Sequence, residues 1–312
     1  MNPLISIIIA AHNAEAYLAE TLASLQRQRF TDFETILIDD GSTDRTRIIA
    51  ERAQCRVASL PRSGVSTARN AGLALARAPC VLFLDSDDLL THDALALLWQ
   101  GLSGQPEAIG IVGQHLKFWR DGEEDPRIPL QRGAAMPDHN VLRALLRRNF
   151  IVNGGTFLIR TEPARKAGGF DPKLKLGEDW DFWCRLALEG PFAFLRDQIV
   201  LHYRQRNDGA QNRLRGNPLQ LNDEAVNSIF SHPGICSKLS WHDRWVSRRM
   251  ARQDIFWSEA RAHMARRNWP LFVAYLVLGI VRFPESVLRR EQLKRYVRGA
   301  DTALRALKQA NQ

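Results

Sequence analysis

The feature that most constrains this chain is a short apolar run that ends in acid. Residues Cys80–Leu90 read CVLFLDSDDLL. The run from Cys80 to Asp85 has the length, the β-branched residue and the aromatic residue of a strand covered on both faces. It closes on three carboxylates, Asp85, Asp87 and Asp88, with only Ser86 among them. Like charges this close repel and raise one another's pKa unless a cation sits between them. Carboxylate oxygens suit a hard divalent ion, and Mg²⁺ commonly takes one or two of them plus substrate phosphates. Open α/β sheets bind ligands at the carboxyl ends of their strands. Asp85-x-Asp87 therefore reads as a diphosphate–metal site at the end of a central strand. The plainer alternative is an acidic turn capping the next helix.

The preceding residues repeat the arrangement. Ile5–Ala10 is a buried strand, with Asn13 placed to cap a helix over Ala16–Gln28. Phe33–Asp39 is a second strand, running into Asp39-Asp40-Gly41-Ser42. Ser42 or Thr43 can cap a helix over Asp44–Gln54. Arg56–Leu60 is a third strand and Val65–Ala76 a helix. Alternation at this spacing means a mostly parallel sheet flanked by helices, with right-handed crossovers. His12, Asn13, Asp39, Asp40, Asp85 and Asp87 all fall just past strand carboxyl ends, and that convergence outweighs any one motif.

Beyond a helix at His92–Gly101 the pattern loosens. Strands are expected at Ile109–Phe118, Gly155–Arg160, Phe192–Leu195 and Ile199–Arg204, and a polar loop at Arg120–Pro137. Helices are expected at Val141–Arg148 and Asp179–Glu189. Three clusters invite a function beside a plainer structural role. In Gly64-Val65-Ser66-Thr67-Ala68-Arg69-Asn70-Ala71-Gly72, a glycine opens a helix whose first turns could offer amides and the Arg69 guanidinium to an anion; a capped surface helix is the alternative. In Gly177-Glu178-Asp179-Trp180, two acids complement a helix N-terminus, and a carboxylate in an apolar cleft can also act as a general base. In His202-Tyr203-Arg204-Gln205-Arg206-Asn207-Asp208, metal- and phosphate-binding residue types stand at a strand end that is otherwise merely basic.

Four cysteines without CxxC spacing argue against a disulfide framework or a zinc site. The start, MNPLISIIIAAHN, has no basic leader and reads as a first strand, which makes the cytoplasm the expected compartment. The formal charge is +9, and the excess is local. Residues 244–312 hold 15 basic against 5 acidic side chains. Within them, Trp269–Phe283 is apolar except for Arg282 and too short to span a bilayer. Its expected place is against the catalytic domain; peripheral contact with an anionic membrane face is the alternative. No nucleic-acid partner is expected.

The motifs SIIIAAHNAEAYLAETLASLQRQ, FETILIDDGSTDRT, GVSTARNAGL, CVLFLDSDD and GEDWDFWCRLA stand in that order over roughly residues 4–206. Together they resemble the inverting glycosyltransferases of family 2. The resemblance implies a GT-A, Rossmann-like fold, a nucleotide-sugar donor and a Mg²⁺ or Mn²⁺ cofactor. It implies that Ala10, His12, Asn13 and Asp40 embrace the base, usually uracil, with Arg69 near the nucleotide. Asp85 would contact ribose or the metal shell and Asp87 would bind the cation, with Asp88 a neighbouring candidate. Asp179 would deprotonate the acceptor, a glycan or lipid-linked saccharide. Glu178, Trp180, His202, Arg204 and Asp208 are further candidates. The expected division is two halves of one domain, donor binding in 1–108 and acceptor binding in 109–222, followed by a basic helical extension in 223–312. His12 departs from the family's frequent Tyr, and Asp208 falls near a position where relatives often carry His. QxxRW is missing, which implies a single-addition enzyme. A sugar-nucleotide nucleotidyltransferase is the rival class, but AAHNAEAYL lacks the Gly and Lys a triphosphate loop would need. A non-catalytic carbohydrate-binding module would need none of the clustered acids.

Overall fold

The computed structural model describes residues 2–119, 136–137, 140–205, 218–265 and 268–284. Eight strands form one sheet: β1 (Ile5–Ala11), β2 (Phe33–Asp40), β3 (Arg56–Leu60), β4 (Cys80–Phe83), β5 (Leu89–Leu90), β6 (Gly110–Trp119), β7 (Phe157–Arg160) and β8 (Phe192–Gln205). Their order is β3-β2-β1-β4-β7-β6-β8-β5. The first four are parallel, β7 and β5 run against their neighbours, and β6 pairs parallel with β8. The expected mostly parallel α/β sheet is what forms. Its centre is where the sequence is most apolar, because β1 and β4 are covered on both faces.

The side-chain period of two sorts the core into two layers. Ile8, Ile36, Ile38, Val81 and Phe83 face one side, with Phe170, Phe182 and Trp183. Ile7, Ile9, Leu37, Leu82 and Leu84 face the other, with Leu95 and Leu98. Helices α1 (Leu18–Gln26), α2 (Thr46–Arg52), α3 (Val65–Leu75) and α4 (Ala94–Ser103) connect the strands. Helix α3 lies so close to β1 that a Cβ on Gly72 would come 2.2 Å from the Ile8 Cγ2. Gly72→Ala is therefore expected to cost about 1–3 kcal/mol, the usual range for overpacking a filled core, readable as a lowered denaturant midpoint with an unchanged slope.

Three local expectations are corrected. Asn13 does not cap α1; it sits at φ 49 and its Oδ1 accepts from the Thr43 amide at 2.9 Å. Neither Ser42 nor Thr43 caps α2, since Asp44 takes the Thr46 amide at 2.9 Å. The strands expected at 192–195 and 199–204 are one strand, β8, with register shifts against β6 near Gln114.

Helices α5 (Val141–Leu145), α6 (Thr161–Lys166) and α7 (Glu178–Leu186) follow on the second half of the sheet. Then come α8 (Pro218–Ser231), α9 (Pro233–Ser237), α10 (Trp241–Ala265) and α11 (Trp269–Arg282). The division expected at 222/223 falls inside α8, whose Val226, Ile229 and Phe230 share a cluster with Trp183. Helix α11 packs along α10 around Ala260, Phe272 and Leu276, where a place against the catalytic domain was expected. No described helix is long and apolar enough to cross a membrane.

Candidate active site

The site forms where the ends of β1, β2 and β4 meet the start of α7. At β1 and β2 the two loops are laced together. The His12 Nδ1 lies 2.9 Å from the Asp40 carbonyl, and the Asn13 amide donates to Ser42 Oγ at 3.0 Å. The Asp40 carboxylate is buried. It accepts from the Ser63 amide and hydroxyl at 2.6 and 2.9 Å, from the Gly64 amide at 3.0 Å, and from Arg62. Burial alone would raise this carboxyl, but those donors outweigh it and hold it below the usual range. Asp40 thus shapes the turn that launches α3, and α3 carries Arg69.

Arg69 is the hub. It donates to Asp85 Oδ1 at 2.7 Å and to Glu178 Oε1 at 3.1 Å, and it lies over the Phe170 ring at 5.1 Å. Burial works against its charge, but Asp85, Glu178 and Asp179 together raise its pKa further. One guanidinium therefore ties the acidic end of β4 to the N-terminus of α7. Asn70, the next residue, clamps the Phe170 backbone through two hydrogen bonds of 2.7 and 2.8 Å, which fixes the ring beneath Arg69.

The three aspartates after β4 face different ways. Asp85 and Asp87 are half-buried, whereas Asp88 is fully buried. Asp88 accepts from the Arg204 amide at 2.7 Å and from Asn153. Burial, then the charges of Asp85 and Asp87, push its carboxyl well above the usual range. Arg204 is buried too, and its guanidinium donates to the Asp87 carbonyl and to Glu20, each at 2.7 Å. Arg204 therefore holds the acidic turn from below. His202, on β8, pairs in register with Leu89, and burial lowers its pKa. Asp208 lies outside the described residues.

No three His, Cys, Asp or Glu side chains among the described residues form a ready metal cage. Mg²⁺ and its relatives need only one or two carboxylates when phosphates complete the shell. The half-buried Asp85 and Asp87, whose charges already strain Asp88, are a donor set that fits such an ion.

Across the cleft, Asp179 is half-buried at the start of α7. It accepts from its neighbour's amide at 2.6 Å and from Asn149 Nδ2 at 3.3 Å. Burial, then Glu178, push its pKa up to about 7, against the pull of Arg69. Trp180, by contrast, is core, with its indole N–H donating to the Leu145 carbonyl at 2.7 Å. Arg69, Asp85, Asn153, Phe170, Asp179 and Trp183 line one cleft. Asn153, which also donates to Asp85 at 3.3 Å, and Asn149 were not singled out in the sequence. The signal for Asn153 is the Gly154-Gly155 that follows it. A Cβ on Gly154 would lie 2.8 Å from the Phe83 carbonyl, so this loop presses on the end of β4.

Acidic turns thus gather at the carboxyl ends of the sheet and face a helix-borne acid across a cleft. The model of the Glycosyl transferase family 2 matches residues 6–168, and the chain belongs to that family. It is 28% identical over 254 residues to the uncharacterized glycosyltransferase EpsJ of Bacillus subtilis, covering 75% of this chain and 72% of that protein. Its fold is similar to that of S. aureus TarS 1-349 in complex with UDP-GlcNAc, with a TM-score of 0.67 at 21% identity over 99% of this chain and 92% of that one. It is also similar to the mannosyltransferase PcManGT of Pyrobaculum calidifontis in complex with GDP-Man and Mn²⁺, at TM-score 0.57 and 17% identity, over 99% and 87% of the two chains. The fold is thus the GT-A fold and the protein a glycosyltransferase.

Proposed function

We propose that this enzyme moves a sugar from a nucleoside-diphosphate sugar, most simply a UDP-sugar, to a hydroxyl of a glycan or lipid-linked saccharide. Transfer is a single addition with inversion. The observation that carries this reading is the cleft in which Arg69 and Asp85 face Asp179. The donor half is 1–108, the acceptor half 109–222, and 223–312 is an extension. A lipid-linked acceptor would bring the enzyme to the cytoplasmic membrane face.

Each residue then has a task. The loops at Ala10–Asn13 and Asp40 flank the base, with Asp40 also holding the turn that orients Arg69. Asp85 and Asp87 carry the diphosphate end, and Asp88, held by Arg204 and Asn153, sets their direction. Mg²⁺ or Mn²⁺ bound at Asp87 would supply the positive charge that a departing nucleoside diphosphate needs. Glu178 anchors Arg69. His202, paired in register with Leu89, is assigned to the acceptor side, and Trp180 secures α7 from within. Asp179 takes the proton from the attacking hydroxyl while the anomeric carbon exchanges its bond to phosphate oxygen for one to the acceptor. One such displacement inverts the configuration.

Asp179 works as a base only when ionised, and its pKa lies at about 7. Turnover under saturating donor should therefore rise with pH and level off above about 7. A pH–rate profile of nucleoside-diphosphate release checks this. A flat profile down to the ordinary carboxylate range would remove Asp179 from the role.

A further inference from the structure

Helix α11, WPLFVAYLVLGIVR, is apolar on nearly every side, yet it buries only the stripe of Phe272, Leu276 and Gly279. Leu271, Val273, Val277, Leu278, Ile280 and Val281 are exposed, Val281 to 73%. A contiguous apolar face of this kind marks an interaction surface rather than scattered surface residues. At about 1.5 Å per residue the helix is roughly 21 Å long, short of the ~30 Å hydrocarbon core.

Two further observations define what fits the face. The first is an aromatic and basic rim. Trp241 and Trp245, on α10, are exposed by 71% and 49%. The Arg249 guanidinium stacks between Trp245 and Phe283, at 5.2 and 5.1 Å, and donates to the Arg282 carbonyl at 3.1 Å. The stack joins the exposed tryptophan to the far end of α11, so both belong to one surface. The second is charge. Residues 244–312 carry 15 basic and 5 acidic side chains, with Arg266-Arg267 before the helix and Arg289-Arg290 after it in the sequence.

We propose that α11 lies in the plane of an anionic lipid bilayer, its exposed face in the acyl boundary and the Trp245–Arg249 rim at headgroup level. In-plane helices of this kind carry apolar residues on one side, tryptophan at the interface and Lys or Arg toward anionic phosphate. A second copy is the poorer occupant, because two such surfaces would bring their surplus positive charge together. The inference is independent of the proposed donor and acceptor.

The test is co-sedimentation of the full-length protein with vesicles of phosphatidylcholine alone or mixed with phosphatidylglycerol, at low and high salt. Val277→Asn/Val281→Asn, which removes apolar surface and leaves the net charge unchanged, is run beside it, with its melting temperature and nucleotide-sugar turnover as controls for folding. Both positions are exposed, and neither lines the cleft. The expected result is binding to anionic vesicles that weakens with salt, much weaker binding to neutral ones, and at least a tenfold loss of anionic-vesicle affinity in the folded double variant. Three results would overturn the proposal. One is no binding of the wild type at low salt. Another is unchanged binding of the variant, which would assign the attraction to charge alone. The last is a wild-type dimer that the variant converts to monomer, which would assign the face to a second copy.

Discussion

Asp87→Asn should lower turnover by about a thousandfold while the protein stays folded. The change keeps the size of the side chain and removes its charge at a half-buried position, so the core is untouched. What it removes is the carboxylate proposed to hold a divalent ion against a diphosphate. Charge stabilisation of a leaving group by such an ion is worth several kcal/mol, and about 1.4 kcal/mol corresponds to a factor of ten. The residual rate should respond little to added Mn²⁺, whereas the wild-type rate should saturate with it. Asp88→Asn should behave otherwise. Asp88 is bonded on both sides, to the Arg204 amide and to Asn153, so that change should appear first as lost stability. Full, metal-responsive turnover in a folded Asp87→Asn protein would contradict the assignment.

Asp179→Asn should leave nucleotide affinity within about twofold and lower transfer by about 10²–10⁴, the usual contribution of a positioned general base. The amide can still accept from Asn149 or the Trp180 amide, but it cannot take a proton. A second signature is independent of activity. The ordinary value of the carboxyl is 3.8 and the folded value is about 7. Between those values the folded chain retains a proton that the unfolded chain has released, so wild-type stability falls as pH rises across that window. The variant has no such group and should lose less stability from about pH 4 to about pH 8. Isothermal titration with nucleoside diphosphate, steady-state transfer and melting curves separate the outcomes. Nucleotide affinity that collapses together with turnover would move Asp179 into the donor site.

The sheet was legible because buried parallel strands are continuous apolar runs. Arg56–Leu60 was read to the residue, and β1, β2 and β4 to within two. Caps were less legible. A short polar residue such as Asn13 suits both a helix cap and a left-handed turn, and its partner Thr43 lies thirty positions away. Two strands were expected on either side of Arg196-Asp197-Gln198 because three polar residues interrupt an apolar run; in the sheet they belong to one strand paired with β6 across register shifts. The acids of the candidate site stood out in the sequence because they cluster just past the ends of expected strands. Their supports did not. Nothing in the sequence says that the Trp180 indole bonds to Leu145 inside α7's packing, or that Arg204 turns beneath the acidic loop. Asn149 and Asn153 are single amides in loops, and only their partners give them meaning. The charge of the last 69 residues was legible as a sum, and the structure adds the bare face of α11.

The carboxylates after β4 and the acid at the start of α7 are proposed to form one nucleotide-sugar transferring site. Its most direct test is the nucleotide released when the purified protein meets a panel of nucleotide-sugars with Mn²⁺. The expected product is a nucleoside diphosphate from a restricted set of donors, lost on chelation and sharply reduced in both Asp87→Asn and Asp179→Asn. Release of a nucleoside monophosphate, or no release from any donor by a folded wild-type protein, would contradict it.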